Sequence, residues 1–300
     1  MMKYLLRIVL LLSAFLTLHV NLANSAELAQ LSEPSINEKP VNKKLANERL
    51  VVIGSGLIET IFALGAGDNI IGRDTASTYP EQAKAIADIG FMRALPPENI
   101  LSLNPQKIIM SKGSGPATSV ELLKKSSVPL IIIDEEFSQK SVTQKIQELG
   151  QYLNRQNEAK ALTESVNHQF DELTKYVNKI EQKKRVLFIM SIRNGRIMAA
   201  GQNTGANGMI NLAGGINPVQ YDGYKLINDE AIIELAPDVI LTMNYNGMAV
   251  TNEEILSVPA LRSTPAGKSQ AFFSMEALYL MNFGPRTAKA ALELSKKIYP

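Results

Sequence analysis

Twelve residues, ENILSLNPQKII (98–109), align without a gap on EAIIELAPDVIL (230–241) further along the chain. Glu98 stands against Glu230, Ile100 against Ile232, Leu101 against Ile233, Leu103 against Leu235, Pro105 against Pro237 and Ile108 against Ile240. Ahead of these segments, IETIFALGAGDNI (58–70) is similar to NGMINLAGGINPV (207–219). Two units in the same order in both halves restrict the chain to two similar lobes. A two-lobed body has a cleft between its lobes, where ligands commonly sit.

Within each half, short apolar runs alternate with helical patterns. LVVIG (50–54), NIIGR (69–73), KIIMS (107–111) and VPLIIID (128–134) read as strands. LIETIFALGAG (57–67), PENILSLNP (97–105) and SVELLKK (119–125) read as helices between them. That alternation predicts an α/β fold with a mainly parallel sheet covered on both faces. From Ser138 to Lys184 the chain turns polar, with Phe170, Leu173, Val177 and Ile180 at helical spacing, which predicts one or two long helices. RVLFIMS (185–191) then opens a second alternation.

The first 26 residues carry Lys3 and Arg7, an apolar run from Ile8 to Val20 and a small-residue end, the pattern of a cleaved secretory signal peptide. Residues 27–48 are polar, contain proline and lack periodicity, as in a flexible leader. The expected organisation is therefore signal peptide 1–26, leader 27–48, N-terminal lobe 49–150, connecting helix 151–184 and C-terminal lobe 185–300. Export to a periplasm-like space follows, without a disulfide or a cysteine-borne lipid anchor because the chain has no cysteine. With 31 basic and 29 acidic residues and no basic cluster, nothing suggests a nucleic-acid surface.

The chemistry is narrowed by what is missing. GSGLIE (54–59) follows a strand but lacks the third glycine of a dinucleotide fingerprint, so it reads as a tight turn. P-loop, G-x-S-x-G and H-E-x-x-H patterns are absent. His168, in the polar helical stretch, is the one histidine after the signal segment, so an imidazole cluster for a metal is excluded. The remaining strong side-chain donors for a transition metal are carboxylates and tyrosine, whose phenolate is a hard donor suited to ferric iron. Tyr79 lies in RDTASTYPEQAKAIADIGFMR (73–93), directly before Pro80 and with Arg73 and Arg93 at the two ends. The arginines could favour a phenolate or pair with an anionic ligand; a tyrosine that caps the lobe's edge, with Asp74 and Arg73 pairing on the surface, fits the spacing as well.

The chain from about residue 49 onward resembles the periplasmic haem-binding proteins of bacterial haem-uptake ABC transporters, within the group that carries siderophores and vitamin B12. The resemblance is carried by RLVVIGSGLIETIFALGAGDNIIGRDTASTYP, DIGFMRALPPENILSLNP, RVLFIMS, MAAGQNTGANGMINLAGG, YKLINDEAIIELAPDVIL and MNFGPRTA, in that order. It implies two similar lobes, each with a central mainly parallel sheet flanked by helices, joined by a long backbone helix: the class III periplasmic binding protein architecture. It implies ferric haem b as transported ligand, no catalysis, a monomer, and delivery to an inner-membrane permease dimer with its ATPase. Tyr79 takes the place of the family's axial iron ligand. Arg73, Arg93, Lys225 and Arg286 become candidate partners of the haem propionates or of the phenolate, Lys225 standing where several relatives are expected to have arginine. Glu98 and Glu230 match the surface glutamates that dock on permease arginines; each also suits the start of a helix.

Two other classes of cargo and one enzyme class compete. A ferric siderophore or corrinoid would make Tyr79 dispensable for affinity. Bare ferric iron would need more oxygen donors, for which Tyr221, Tyr224 and Tyr245 are available in sequence. An exported oxidoreductase would have to use the GSG turn. Met243 and Met281 are further possible neighbours of an iron centre.

Overall fold

A computed structural model describes residues 48–300; the predicted signal peptide, and the leader apart from Glu48, lie outside the described residues. The first half runs β1 (Leu50–Ile53), α1 (Ser55–Ala63), β2 (Ile70–Arg73), β3 (Ala87–Asp88), α2 (Pro97–Ser102), β4 (Lys107–Ser111), α3 (Ala117–Lys125) and β5 (Leu130–Ile133). Its strands lie in the order β3-β2-β1-β4-β5, every pair parallel. The predicted strands and helices of this half all form: KIIMS is unchanged, the other strands and PENILSLNP are shorter by a residue or more, and the helices expected at 57–67 and 119–125 each begin two residues earlier. Parallel strands buried on both faces need apolar side chains throughout, which is why these runs do not alternate with polar residues.

The polar stretch becomes two helices, α4 (Gln139–Tyr152) and α5 (Gln156–Val177), separated at Asn154, whose φ of 51° ends the first. The expected connecting segment 151–184 thus includes the last turn of α4, and its helix is α5 alone. Ala159, Thr163, Val166, Phe170 and Leu173 form the buried stripe of α5, three and four residues apart. The helix packs on α4 and on the C-terminal helix.

The second half runs β6 (Val186–Arg193), β7 (Arg196–Ala200), α6 (Gly205–Leu212), β8 (Tyr224–Ile227), α7 (Asp229–Leu235), β9 (Val239–Asn244), three short helices α8 (Asn252–Ser257), α9 (Pro259–Ser263) and α10 (Pro265–Ser269), β10 (Phe272–Glu276), α11 (Ala277–Met281) and α12 (Thr287–Ile298). Strand order is β10-β9-β6-β7-β8. Here β6–β9 and β9–β10 are parallel, whereas β6–β7 and β7–β8 are antiparallel. A hairpin turning at Asn194 and Gly195, both at positive φ, is responsible. An Asn-Gly pair between apolar alternations is a strong hairpin signal, and it is present in IRNGRI.

The sequence repeat is nonetheless structural. α1 and α6 end alike, with Gly65 and Gly214 at positive φ and the next amide bonded five residues back, Ala66 to Ile61 and Gly215 to Ile210. The aligned positions Asn104 and Ala236, which close α2 and α7, both sit in the left-handed region, at φ 47° and 39°.

Three apolar cores hold the layers. One side of each sheet faces its own outer core, with Val51 and Ile53 in the first and Leu187 and Ile189 in the second. The other sides, through Leu50, Val52, Val186 and Phe188, share one continuous cluster with Phe170 of α5 and Leu294 of α12. Each such side chain stabilises by about 1.5–3 kcal/mol when buried. Sliding the sheets apart would break that shared cluster, which opposes wide separation of the cleft's walls. A buried ion pair reinforces it: Lys145 of α4 binds Glu135 and donates to the Phe283 carbonyl of the second half at 3.2 Å.

Candidate functional site

The loop after β2 is fastened by the two residues that open it. Arg73 is only 7% exposed. Its guanidinium donates to the carbonyls of Ala83, Asp74 and Thr75 at 2.9, 2.9 and 3.2 Å, with Asp88 at 3.5 Å. Those bonds draw the loop into a ring around the guanidinium and give Arg73 a structural role, with Nε and Nη1 committed to the loop. Asp74, 1% exposed, accepts from the Gly54 amide at 2.8 Å and the Ser77 hydroxyl at 2.5 Å, tying the loop to the start of α1. Burial pushes its carboxyl above the usual range, against the pull of these hydrogen bonds.

Tyr79 stands out from this fastened base, 37% exposed. The Arg286 guanidinium of the second half lies 3.3 Å from its ring centroid, and the ring of Tyr279 lies on the same guanidinium at 5.2 Å. Arg286 is held from below. Its Nε and Nη2 donate to the Glu59 carboxylate at 3.1 and 2.9 Å, its amide adds a bond of 3.1 Å, and Asn282 donates to the same carboxylate at 3.2 Å. Glu59, in α1 and 4% exposed, thus takes four donors from MNFGPRTA, 223 or more residues away in sequence. The bidentate fork fixes the guanidinium plane against Tyr79. Glu59, Tyr79, Pro80, Gln82, Pro285 and Arg286 line a cavity of about 500 Å³ with the end of α1.

A second cavity, of about 440 Å³, opens between the lobes. The first half contributes Gly54, Ser55, Gly56, Met92, Arg93, Ser111, Lys112, Glu135 and Phe137; the second contributes Asn203, Thr204, Tyr224, Met281 and Asn282. Phe137 meets Phe283 edge to face at 5.1 Å in its wall. Tyr224 is half-buried, and burial raises its phenol above the ordinary value, while hydrogen bonds to Thr204 and Ala206 and the charge of Arg93 pull the other way. The tyrosine of each cavity thus shares it with an arginine of the opposite lobe, Tyr79 in contact with Arg286 and Tyr224 across the interlobe cavity from Arg93.

The remaining expectations divide. Arg93 lines the interlobe cavity and is exposed. Lys225 does not. It follows Tyr224 on β8, so the alternation of a strand turns it to the other side, where its ammonium lies 5.1 Å from the ring of Tyr221, itself packed on the outer core of the second sheet. The structure thus places Lys225 on that surface stack and not among the residues lining the interlobe cavity. Met281 lines the cavity, Met243 packs on the shared core, and Tyr245 sits half-buried in the loop after β9. Glu98 and Glu230 are exposed in the first turns of α2 and α7, equivalent places in the repeat. His168 is exposed on α5, 3.7 Å from Glu172. Among the described residues no three His, Asp or Glu gather in a group that could hold a metal ion.

Glu59 was not singled out from the sequence. Its signal was a carboxylate in the otherwise apolar helix LIETIF, which must either be paired or be very costly. Lys145 hid in the same way, on a face shared with Val142 and Leu149.

With sheets, helices and cleft in place, comparison with known proteins gives the class. The chain belongs to the periplasmic binding protein family, whose profile matches residues 50–278. A solved structure of the periplasmic haem-binding protein BhuT in complex with two haems superposes with a TM-score of 0.79 at 33% identity, covering 84% of this chain and 98% of that one. The uncharacterised ABC transporter substrate-binding lipoprotein YvrC of Bacillus subtilis is 25% identical over 270 residues, 88% of this chain and 84% of its own length. The vitamin B12-binding protein of Vibrio vulnificus is 26% identical over 254 residues, 81% of this chain and 87% of its own. The protein is thus a substrate-binding protein of the ABC-transporter group, of class III architecture and extracytoplasmic, and not an enzyme.

Proposed function

We propose that this protein binds ferric haem between its lobes and passes it to an inner-membrane ABC importer. The observation that carries this reading is the tyrosine of the loop after β2, set against an arginine from the other lobe that a buried glutamate holds in place. A phenol gives up its proton to ferric iron most readily where positive charge is fixed nearby. The Arg286 guanidinium, paired with Glu59, already lies against the Tyr79 ring and need not reorganise. Apolar walls such as Phe62 in one cavity and Met92, Phe137 and Met281 in the other suit a flat macrocycle. The likeness to BhuT supports the same cargo.

In this reading Tyr79 is the axial ligand, Arg286 its charge partner and Arg93 a partner for a propionate. Glu98 and Glu230, one per lobe, dock on the permease. The segment 1–26 is a cleaved signal peptide, the mature protein is a periplasmic monomer, and 49–150 and 185–300 are its lobes.

A corrinoid is the second reading, favoured by the similarity to the Vibrio vulnificus protein. Absorption titration of the purified protein with ferric haem and, separately, with cyanocobalamin decides between them. Saturable change with haem and a tyrosinate charge-transfer band absent in Tyr79→Ala is the expected result. Saturation with cobalamin alone would overturn it.

A further inference from the structure

The GSG turn has no role in the reading above, yet it opens directly on the interlobe cavity. Gly54, Ser55 and Gly56 all line that space, and they form the start of α1, nine residues long. No side chain caps this helix and no acidic residue occupies its first turn. Among the described residues, the amides of Ser55 and Gly56 find no acceptor, whereas those of Leu57 and Ile58 already bond the Gly54 carbonyl. A helix start in this condition carries positive partial charge and free donors.

A second, independent feature lies against it. Ser111, at the end of β4, is 1% exposed, lines the same cavity, and its hydroxyl has no hydrogen-bond partner. The hydroxyl rests on Gly54 so closely that a Cβ there would fall 2.1 Å from it, and Gly54 has a φ of 126°. Only glycine leaves room for the hydroxyl beside the helix start. Buried polar groups are rarely left unpaired without a purpose.

The charges around the cavity agree. Of the arginines and lysines lining the two cavities, Arg286 is spent on Glu59. Arg93 and Lys112 are the others, both exposed on the first-lobe side. Lys112 is paired with Asp134 at 2.7 Å, with both side chains 66% exposed. A pair so open to water yields readily to a competing carboxylate. The one carboxylate among the residues lining the interlobe cavity, Glu135, is paired with Lys145. Buried Asp74, which does not line the cavity, binds the Gly54 amide and the Ser77 hydroxyl through one oxygen, its other oxygen having no partner among the described residues.

We propose that the amino end of α1, with Ser111 and the rim cations Arg93 and Lys112, receives one carboxylate of the cargo, apart from the position at which Tyr79 takes the iron. The helix amides and the Ser111 hydroxyl donate to the carboxylate, and the two cations offset its charge. This rests on the haem reading, since haem carries two propionates. It makes recognition of the acid group a property of the first lobe.

The test compares ferric haem with its dimethyl ester, which keeps iron and ring but has no free carboxylate, by absorption titration of wild type, Lys112→Ala and Ser55→Asp. Ser55→Asp places a fixed carboxylate at the helix start, which strengthens the helix while opposing an incoming anion. Its thermal midpoint should therefore equal or exceed that of wild type. Each variant is expected to weaken the free acid about five- to tenfold. Affinity for the ester should stay unchanged, with the tyrosinate band intact. Equal loss for acid and ester, or no loss for either, overturns the carboxylate receptor while leaving haem binding standing. A wild-type protein that saturates with neither form overturns the haem reading and the receptor with it, and the variants are not needed to see that.

Discussion

Tyr79 and Tyr224 face the seam between the lobes from opposite sides, and each shares a cavity with an arginine from the lobe across, but the two arrangements differ in stiffness. At Tyr79 the phenol ring is partly open, and the arginine is locked by a buried carboxylate that accepts four hydrogen bonds. At Tyr224 the phenol is half-buried and the arginine is exposed. One site is organised before any ligand arrives; the other has a charge free to adjust. Ligation of a metal gains from the first kind of site, because no reorganisation is charged against binding. Recognition of a flexible acid group tolerates the second.

Replacing Glu59 by alanine should have the largest effect, since it strands the guanidinium of Arg286 in a partly buried position. Breaking such a pair costs about 3 kcal/mol of stability, and denaturant unfolding would show it as a shifted midpoint with the slope unchanged. A much smaller shift would mean that Arg286 is fixed by something other than the carboxylate. Next comes Tyr79→Phe, which keeps the ring on Arg286 and removes the donor. Haem affinity should fall at least about a hundredfold, while Tyr224→Phe should change it only a few-fold. The reverse ranking in titrations would exchange the roles of the two tyrosines. Arg93→Ala should weaken haem about tenfold at low salt and less at high salt, because an exposed charge is screened; equal losses at both would place Arg93 in a drier contact than its exposure implies.

The smallest effect concerns the base of the Tyr79 loop. Because burial raises the Asp74 carboxyl above its unfolded value, folding favours its protonated form. Stability contributed by that proton is present below the unfolded carboxylate range and is lost as pH rises through the folded value. Asp74→Asn, which keeps an oxygen for the Gly54 amide and Ser77, should therefore be more stable than wild type at pH 7 by about 1 kcal/mol. The advantage should vanish in acid. Thermal midpoints at several pH values would check this, and a deficit at neutral pH would mean that the charge itself is needed.

The strands and helices could be read because apolar runs and glycine stops are local facts. LVVIG and KIIMS needed no partner to be recognised as strands. Tyr79 stands out as an aromatic residue before proline in a polar loop, but its spacing left a ligand and a capping role open, and only the resemblance to haem-binding proteins singled out the ligand role, which stays a proposal. What escaped depends on pairing at a distance. Whether Lys225 or Tyr224 faces the cleft is fixed by the register of β8 on β7, where Lys225 lies opposite Ala199. The service of Arg73 to its own loop depends on carbonyls up to ten residues later. The meeting of Glu59 with Arg286 spans 227 residues. The hairpin of the second half lay within reach of the sequence, at Asn194-Gly195, but the repeat drew attention to what the halves share.

The cluster that both sheets share bears on how the chain folds as well as on how it moves. Leu50 and Val52 belong to the same continuous apolar cluster as Val186 and Phe188, so neither lobe owns a full interior on its inner side. A fragment ending near residue 180 would expose half of that surface to water, and so would the complementary fragment. The two lobes should accordingly melt in a single cooperative transition, and neither half should survive alone in solution.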